Sequence, residues 1–272
     1  MIKKPGFPGR IYMGLILLFL YAPIFVLITF SFNSTQSRTQ WTGFSLEWYR
    51  ALLTNEAVLN SFYVTIVLAL LAAVISTIAG TFAAVGFYGM SRRWRAPIMQ
   101  INSLPMINAD IITGVSLCLL FVFLGGLFRF RLGFGTLLIA HITFCIPYVI
   151  LSITPKLRQL DSNIIDAACD LGCTWFKAFR KVVIPEILPG IINGLIIAFT
   201  LSIDDFVISY FTAGGGVMTL PMQIFAMTRR RISPEINALS TVLFLSVLLL
   251  LIIVNIRTAR QNKDLKKRGN VN

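Results

Sequence analysis

Three carboxylates, Asp110, Asp204 and Asp205, fall inside long apolar runs of this 272-residue chain. On insertion scales a carboxylate at the centre of a bilayer costs about 2.5–3.5 kcal/mol, so such residues usually face protein or a water-filled cavity and carry a role. No Lys or Arg lies in the interior of these runs. Deep charge of a single, negative sign suits the passage of a cation. Phe206 and Tyr210 follow closely and can add cation–π contact. The competing reading is structural: Asp204 or Asp205 caps a helix break or bonds a neighbouring helix. His141, the only histidine, lies in another apolar run and reads as a packed, hydrogen-bonded residue. Cys169 and Cys173 are four apart with no further Cys or His nearby, so they make no metal site. The four cysteines lie in apolar runs or on the polar stretch described next, and no disulfide is expected.

A second group of residues sits in the polar stretch 161–190, DSNIIDAACDLGCTWFKAFRKVVIPEILPG. Two short helices with a turn between them account for it. Asp161 or Ser162 can cap the first helix. Asp166 and Asp170, four apart, share one of its faces. Gly172 supplies the positive φ that ends it. Thr174 can cap the second helix, which Pro185 is expected to end. Ala167 and Ala168 leave a face almost without side chains, against which another protein's backbone can come close.

The elements that position these residues are membrane spans. The chain is 56% hydrophobic and 13% charged, with a mean hydropathy of +0.79, which is a membrane composition. The fold class is therefore an all-α polytopic membrane protein, a single transmembrane domain over 1–272. Six spans are expected: Ile11 to about Phe32, Ser61 to Phe87, Pro97 to Gly125, Phe134 to Thr154, Gly190 to Phe211 and Ile236 to Ile256. The first is too long for a signal-peptide core and has no small-residue cleavage site, so it is read as retained. Gly80, Ala83, Ala84 and Gly86 in the second let helices approach closely. Leu104-Pro105 breaks the third. Trp41, Trp48 and Tyr49 suit a short interfacial helix in the first outer loop. Ala213-Gly214-Gly215-Gly216 reads as a flexible turn, and 219–227 as an apolar segment too short to span. The net charge of +13 is topogenic rather than a nucleic-acid footprint. Of 24 Lys and Arg, 17 lie before span one, after span two, in the polar stretch and its approach, and in the tail, so both termini are expected in the cytoplasm. Arg229, Arg230 and Arg231 lie outside in this scheme, as a solvated turn or a docking patch for an acidic protein.

The polar stretch resembles the cytoplasmic coupling loop of membrane subunits of bacterial ABC importers. That family reads Glu-Ala-Ala, three residues, Gly, nine residues, Ile, one residue, Leu-Pro. Here the same spacing carries Asp166-Ala167-Ala168, Gly172, Val182 and Ile184-Pro185. The shorter Asp166 requires any partner to sit closer. HITFCIP at 141–147, LSIDDFVIS at 201–209 and SPEINA at 233–238 further resemble the C-type permeases of spermidine/putrescine importers. The resemblance implies the six-span type I importer permease fold, with a coupling loop at 155–190 gripped by an ATPase through Asp166, Ala167, Ala168, Asp170, Gly172 and Pro185. It implies a second permease subunit, a pair of ATPase subunits and an extracytoplasmic binding protein as partners, in the bacterial plasma membrane. No Walker A sequence occurs, so ATP and Mg are expected on the partner ATPase, with no cofactor and no catalytic residue on this chain.

Three other readings are weighed. A permease of the same class could carry iron(III), thiosulfate or another solute, although an anion sits poorly beside these acids. An ion-coupled secondary transporter would carry inverted repeats, which the sequence lacks. An intramembrane aspartyl protease needs Tyr-Asp and Gly-x-Gly-Asp settings, also absent. The topology is tested by thiol labelling. Gln36→Cys should react with an impermeant reagent added outside and Gln261→Cys should not; the reverse pattern would overturn the orientation.

Overall fold

The computed structural model describes residues 7–35, 40–160, 163–230, 235–249 and 251–252. They are helical throughout except for connections and one isolated β-bridge between Asn33 and Phe44. The chain divides into two compact units, Met1–Leu59 with Gln223–Ile252, and Asn60–Met222 with Ile253–Asn272.

The first unit contains α1 (Phe7–Ser31), α2 (Glu47–Thr54), most of α11 (Leu220–Arg230) and α12 (Glu235–Leu249). The end of α1 is tied to the loop after it by Asn33, which is fully buried. Its Nδ2 donates to the Gln40 carbonyl, and its Oδ1 accepts from the Thr42 N–H and hydroxyl, each at 2.9 Å. Its carbonyl accepts from Trp48 Nε1 at 2.7 Å. Tyr49 hydroxyl and Ser31 Oγ bond at 2.7 Å, and Phe32 stacks on Phe44. Phe44, Trp48 and Tyr49 are thus fastened to the end of α1, the last two from the short helix α2.

The second unit holds most of α3 (Glu56–Gly89), with α4 (Arg92–Ile107), α5 (Asp110–Phe128), α6 (Phe134–Gln159), α7 (Asn163–Asp170), α8 (Trp175–Ala178), a π-turn (Phe179–Val183), α9 (Ile184–Asp204) and α10 (Val207–Thr212). Its centre is α6. Ala140, Cys145, Val149, Ile150 and Ile153 are buried there and pack with Ile187 and Ala198 of α9. Lipid tails are as apolar as Leu, so helix association in a membrane rests on close packing rather than on hydrophobic transfer. Glycines provide that closeness. A Cβ at Gly190 would lie 3.2 Å from Ile153 Cα and from the Ser152 carbonyl oxygen. One at Gly194 would meet Val149, and one at Gly80 of α3 would come within 2.7 Å of Val149 Cγ1. Gly114 of α5 faces Ile208 and Phe211 of α10 in the same way.

Among the described residues, five helices are long and apolar enough to cross a membrane. The sixth expected span is represented by α12, apolar but shorter, whose sequence run continues into residues outside the description. The third span is interrupted as Leu104-Pro105 suggests, a few residues later, at Asn108 and Ala109. Pro105 removes a backbone donor from the last turn of α4, Asn108 and Ala109 are extended, and Asp110 opens a separate 19-residue α5. The helix of the fifth span starts before the expected Gly190 and is interrupted before Phe211. Its helix covers Phe176–Asp204, and the chain is extended at Asp205 before α10. Pro185 does not end a helix. The Ile184 N–H bonds the Phe179 carbonyl, five residues back, and the wider π-turn lets Pro185 enter the first turn of α9, where its missing N–H is tolerated. The glycine run is a turn, exposed at Gly215 and Gly216, but its first glycine is packed: Gly214 has φ +67°, and a Cβ there would sit 2.5 Å from the Leu132 carbonyl oxygen.

Gly190→Val should therefore overpack the α6–α9 contact and cost about 1–3 kcal/mol, whereas Gly86→Ala, with nothing within 4 Å of the new Cβ, should not destabilise. Thermal unfolding of the two variants in detergent checks the contrast.

Candidate functional site

The sequence singles out two groups, and one helix links them. The Phe176–Asp204 helix carries the polar stretch at its start and the acidic pair at its end.

At its far end, Ser202, Ile203 and Asp204 close α9, the backbone is extended at Asp205, and Phe206 precedes α10. Such a break leaves N–H and C=O groups without intrahelical partners, and at membrane depth they must find others within the protein. Asp205 supplies acceptors. Its Oδ1 accepts from the Ile208 N–H at 3.3 Å, and its Oδ2 from the Ser209 N–H at 2.8 Å and the Ser209 hydroxyl at 2.9 Å. The Asp205 side chain is only 7% exposed, and its Oδ2 lies 3.5 Å from His141 Nε2. Asp204, one residue earlier, is exposed. The adjacent acids therefore have different surroundings: Asp205 is enclosed as the cap of α10, and Asp204 faces outward from the end of α9.

Asp110 is the first residue of α5, where a carboxylate is favoured by the helix dipole. It lies one turn before Gly114, which packs on Val207 and Ile208 of α10. The break in the third span thus comes near the break in the fifth. Tyr210 is 52% exposed, and its ring lies 5.5 Å from that of Phe206. Phe206 packs partly against a small core of Leu68, Leu137, Ala213 and Met222, so Tyr210 is the more accessible of the two aromatics.

His141 is the residue that spacing alone did not connect to this site. It is 1% exposed, with Nδ1 2.7 Å from Ser202 Oγ and Nε2 3.0 Å from Ser209 Oγ. The LSIDDFVIS run already carries both serines around the two acids, but their joining to α6 is a tertiary fact.

At the near end, α7 closes in a Schellman turn. The Cys173 N–H bonds the Ala168 carbonyl at 3.1 Å and the Gly172 N–H bonds that of Cys169 at 2.9 Å, with Gly172 at φ +83°. Nothing lies within 4 Å of a Cβ built there, so glycine is needed for its backbone and not for space. Ala167, Asp170 and Pro185 are exposed, and so are Leu171 at 86% and Phe176 at 67%. Asp166 lies on α7. Phe179, Val183 and Ile187 are buried with Ile153 and Leu157 of α6 and fasten the stretch to the rest of the unit. The candidate caps Asp161 and Ser162 lie outside the described residues, as does Arg231. Arg229 stands over the Phe225 ring at 5.0 Å.

Residues 76–267 match the family described as binding-protein-dependent transport system inner membrane component. The chain belongs to this family. It is a multi-pass inner-membrane protein and a permease subunit of an ABC-type importer. It is 35% identical over 270 residues to the spermidine/putrescine transport system permease protein PotC of Escherichia coli K12, covering 99% of this chain and 98% of that one. It is 42% identical over 229 residues to the putrescine transport system permease protein PotI of the same strain, covering 83% and 81%. PotC of Haemophilus influenzae is 35% identical over 92% of this chain and 96% of its own length. Among solved structures, a bacterial ABC transporter involved in import of the acidic polysaccharide alginate aligns with a TM-score of 0.71 at 14% identity, covering 93% of both chains. The MetNI methionine transporter aligns at 0.59 and 16% identity, over 76% of this chain and 99% of that one. These two similarities establish the importer permease fold.

Gly172→Val should strain the turn by on the order of 1–2 kcal/mol and displace α8 relative to α7, whereas Gly172→Asn, which accepts a left-handed conformation, should be tolerated. Uptake by cells with matched membrane levels should fall sharply for the first variant and stay near wild type for the second. Equal uptake would show that transport does not need this turn.

Proposed function

We propose that this chain is one of two permease subunits of an ATP-driven importer of polyamines, spermidine or putrescine. The observation that carries the reading is the sign of the deep charge taken together with the named relatives. At the two span breaks the charged residues are Asp110, Asp204 and Asp205, all acidic, while Lys156, Arg158, Lys177, Arg180 and Lys181 lie at the ends of their helices toward the polar stretch, and relatives at 35–42% identity are spermidine/putrescine and putrescine permeases. A polyamine carries two to four positive charges. A path lined by carboxylates offsets part of the desolvation of those charges, while a Lys or Arg would repel them.

In this reading Asp204 meets the cation, with Tyr210 contributing a ring face and Asp110 adding negative potential nearby. Phe206 backs Tyr210. Asp205 acts mainly through the shape of the break. The coupling loop, 155–190, faces the cytoplasm, and both termini lie on that side. Asp166, Ala167, Ala168, Asp170 and Gly172 receive an ATPase subunit, with ATP and Mg bound there and hydrolysed there. Leu171 and Phe176 add exposed apolar surface to that contact. Pro185 acts through the π-turn, which joins the coupling stretch to α9. Motion at the loop then travels along one helix of 29 residues, roughly 40 Å at 1.5 Å per residue, and is delivered to Asp204. A second permease subunit completes the enclosure of the path, and an extracytoplasmic binding protein delivers the polyamine.

Asp204→Asn should assemble with its partners and lose at least about tenfold in polyamine uptake, since a hydrogen bond to a charged group is worth about 1.5–3 kcal/mol. The measurement is uptake of labelled putrescine and spermidine at matched membrane levels. Wild-type uptake by this variant would place cation recognition elsewhere in the assembly.

A further inference from the structure

The four buried polar side chains around the α9–α10 break form a connected set whose proton positions can be counted. The Ser209 hydroxyl donates to Asp205 Oδ2, so toward His141 Nε2, 3.0 Å away, Ser209 Oγ can only accept. Nε2 therefore carries a hydrogen. Nε2 also lies 3.5 Å from Asp205 Oδ2. In the neutral ring Nδ1 is then an acceptor, and Ser202 Oγ, 2.7 Å away, donates to it. The result is a chain of donors running one way, Ser202 to His141 to Ser209 to Asp205, ending on a carboxylate that also receives two backbone N–H groups. Ser202 belongs to the last turn of α9, Ser209 to α10, and His141 to α6, the most buried span. The imidazole thus bonds both sides of the helix break from a third helix.

This geometry has a consequence for Asp204. Phe206 and the extended Asp205 are the only residues between α9 and α10, so the angle between these helices is decided where Ser202 and Ser209 are held. Asp204 sits inside that bracket but does not join the chain of donors. We propose that His141 is a positioning residue of the translocation site: it holds α9 and α10 across the break, keeps Asp205 as a cap, and thereby sets the direction in which Asp204 is presented to the cation. The proposal rests on the reading of Asp204 as the cation-binding acid. Leu at 141 supplies neither donor nor acceptor and leaves Ser202 and Ser209 without their shared partner. Gln supplies one donor and one acceptor and can keep part of the chain.

The test uses the assembled transporter in native membranes, with this subunit's Cys118, Cys169 and Cys173 changed to Ser and Cys145 to Ala. In that background Asp204→Cys is labelled with a small thiol reagent, alone and combined with His141→Leu, His141→Gln or Ser202→Ala. The labelling rate should change at least about threefold with His141→Leu, and stay within about twofold with His141→Gln, the loss of a net hydrogen bond of about 1 kcal/mol being roughly fivefold. In the Asp204 background, His141→Leu should raise the KM for uptake more than it lowers the maximal rate, with partial rescue by His141→Gln. An unchanged labelling rate in both His141→Leu and Ser202→Ala, at matched membrane levels, would overturn the proposal. Should His141→Leu fail to reach the membrane, Ser202→Ala alone decides by the same criterion. Labelling does not depend on the solute: a shifted rate together with normal polyamine uptake by Asp204→Asn would uphold the positioning role and reject the cation-binding one.

Discussion

A helix interrupted inside a membrane must satisfy its freed backbone groups without water, and that constraint governs the second unit of this permease. The fifth span is interrupted at Asp205 and the third at Asn108 and Ala109. Each interruption exposes donors and acceptors that lipid cannot meet. At the fifth span the answer is a buried carboxylate that accepts backbone and hydroxyl hydrogens, joined through Ser209 to an imidazole on α6. The same break turns Asp204 outward. One charge stabilises the irregular backbone while its neighbour remains accessible. Two adjacent aspartates thereby acquire different surroundings.

That arrangement depends on α6 being close enough to reach. Gly190 and Gly194 bring α9 onto the backbone of α6, and Gly80 brings α3 onto Val149. Without a hydrophobic force between helices in lipid, these contacts rely on dispersion and on the short interaxial distance that missing side chains allow. The His141 contacts to Ser202 and Ser209, at 2.7 and 3.0 Å, require that distance. Packing by small residues and the polar chain are therefore one design: the glycines set the separation, and the hydrogen bonds use it.

The coupling stretch is joined to the same framework. The Schellman turn at Gly172 fixes the angle between α7 and α8, and the π-turn at Phe179–Val183 lets the helix pass Pro185 unbroken. Phe179 and Val183 bury against α6. The exposed surface of α7 and its turn is thus mechanically continuous with Asp204 through one helix. In the proposed function, a chain without an ATP-binding motif responds in this way at its acidic end to forces applied at its loop.

Much of this was already legible in the amino-acid order. Hydropathy is local, and it determined the membrane class and five spans. The coupling turn was readable because a Schellman turn is short-range: Gly172 and its neighbours contain the whole motif. Single-sign deep charge and the small residues of the second span were readable for the same reason. Helix continuity was harder to read, because a proline has opposite consequences in different settings. Pro185 enters a helix through a π-turn, whereas Pro105 lies in the last turn before a break. The tertiary structure alone decided which aspartate is enclosed. Asp204 and Asp205 are chemically identical in sequence and differ only by which side of the break faces α6. It alone joined His141 to residues 61 and 68 positions away, and it packed Gly214, the first glycine of its run, against Leu132. These outcomes depend on contacts between helices distant in sequence, and no local periodicity encodes the approach of α6 to the break.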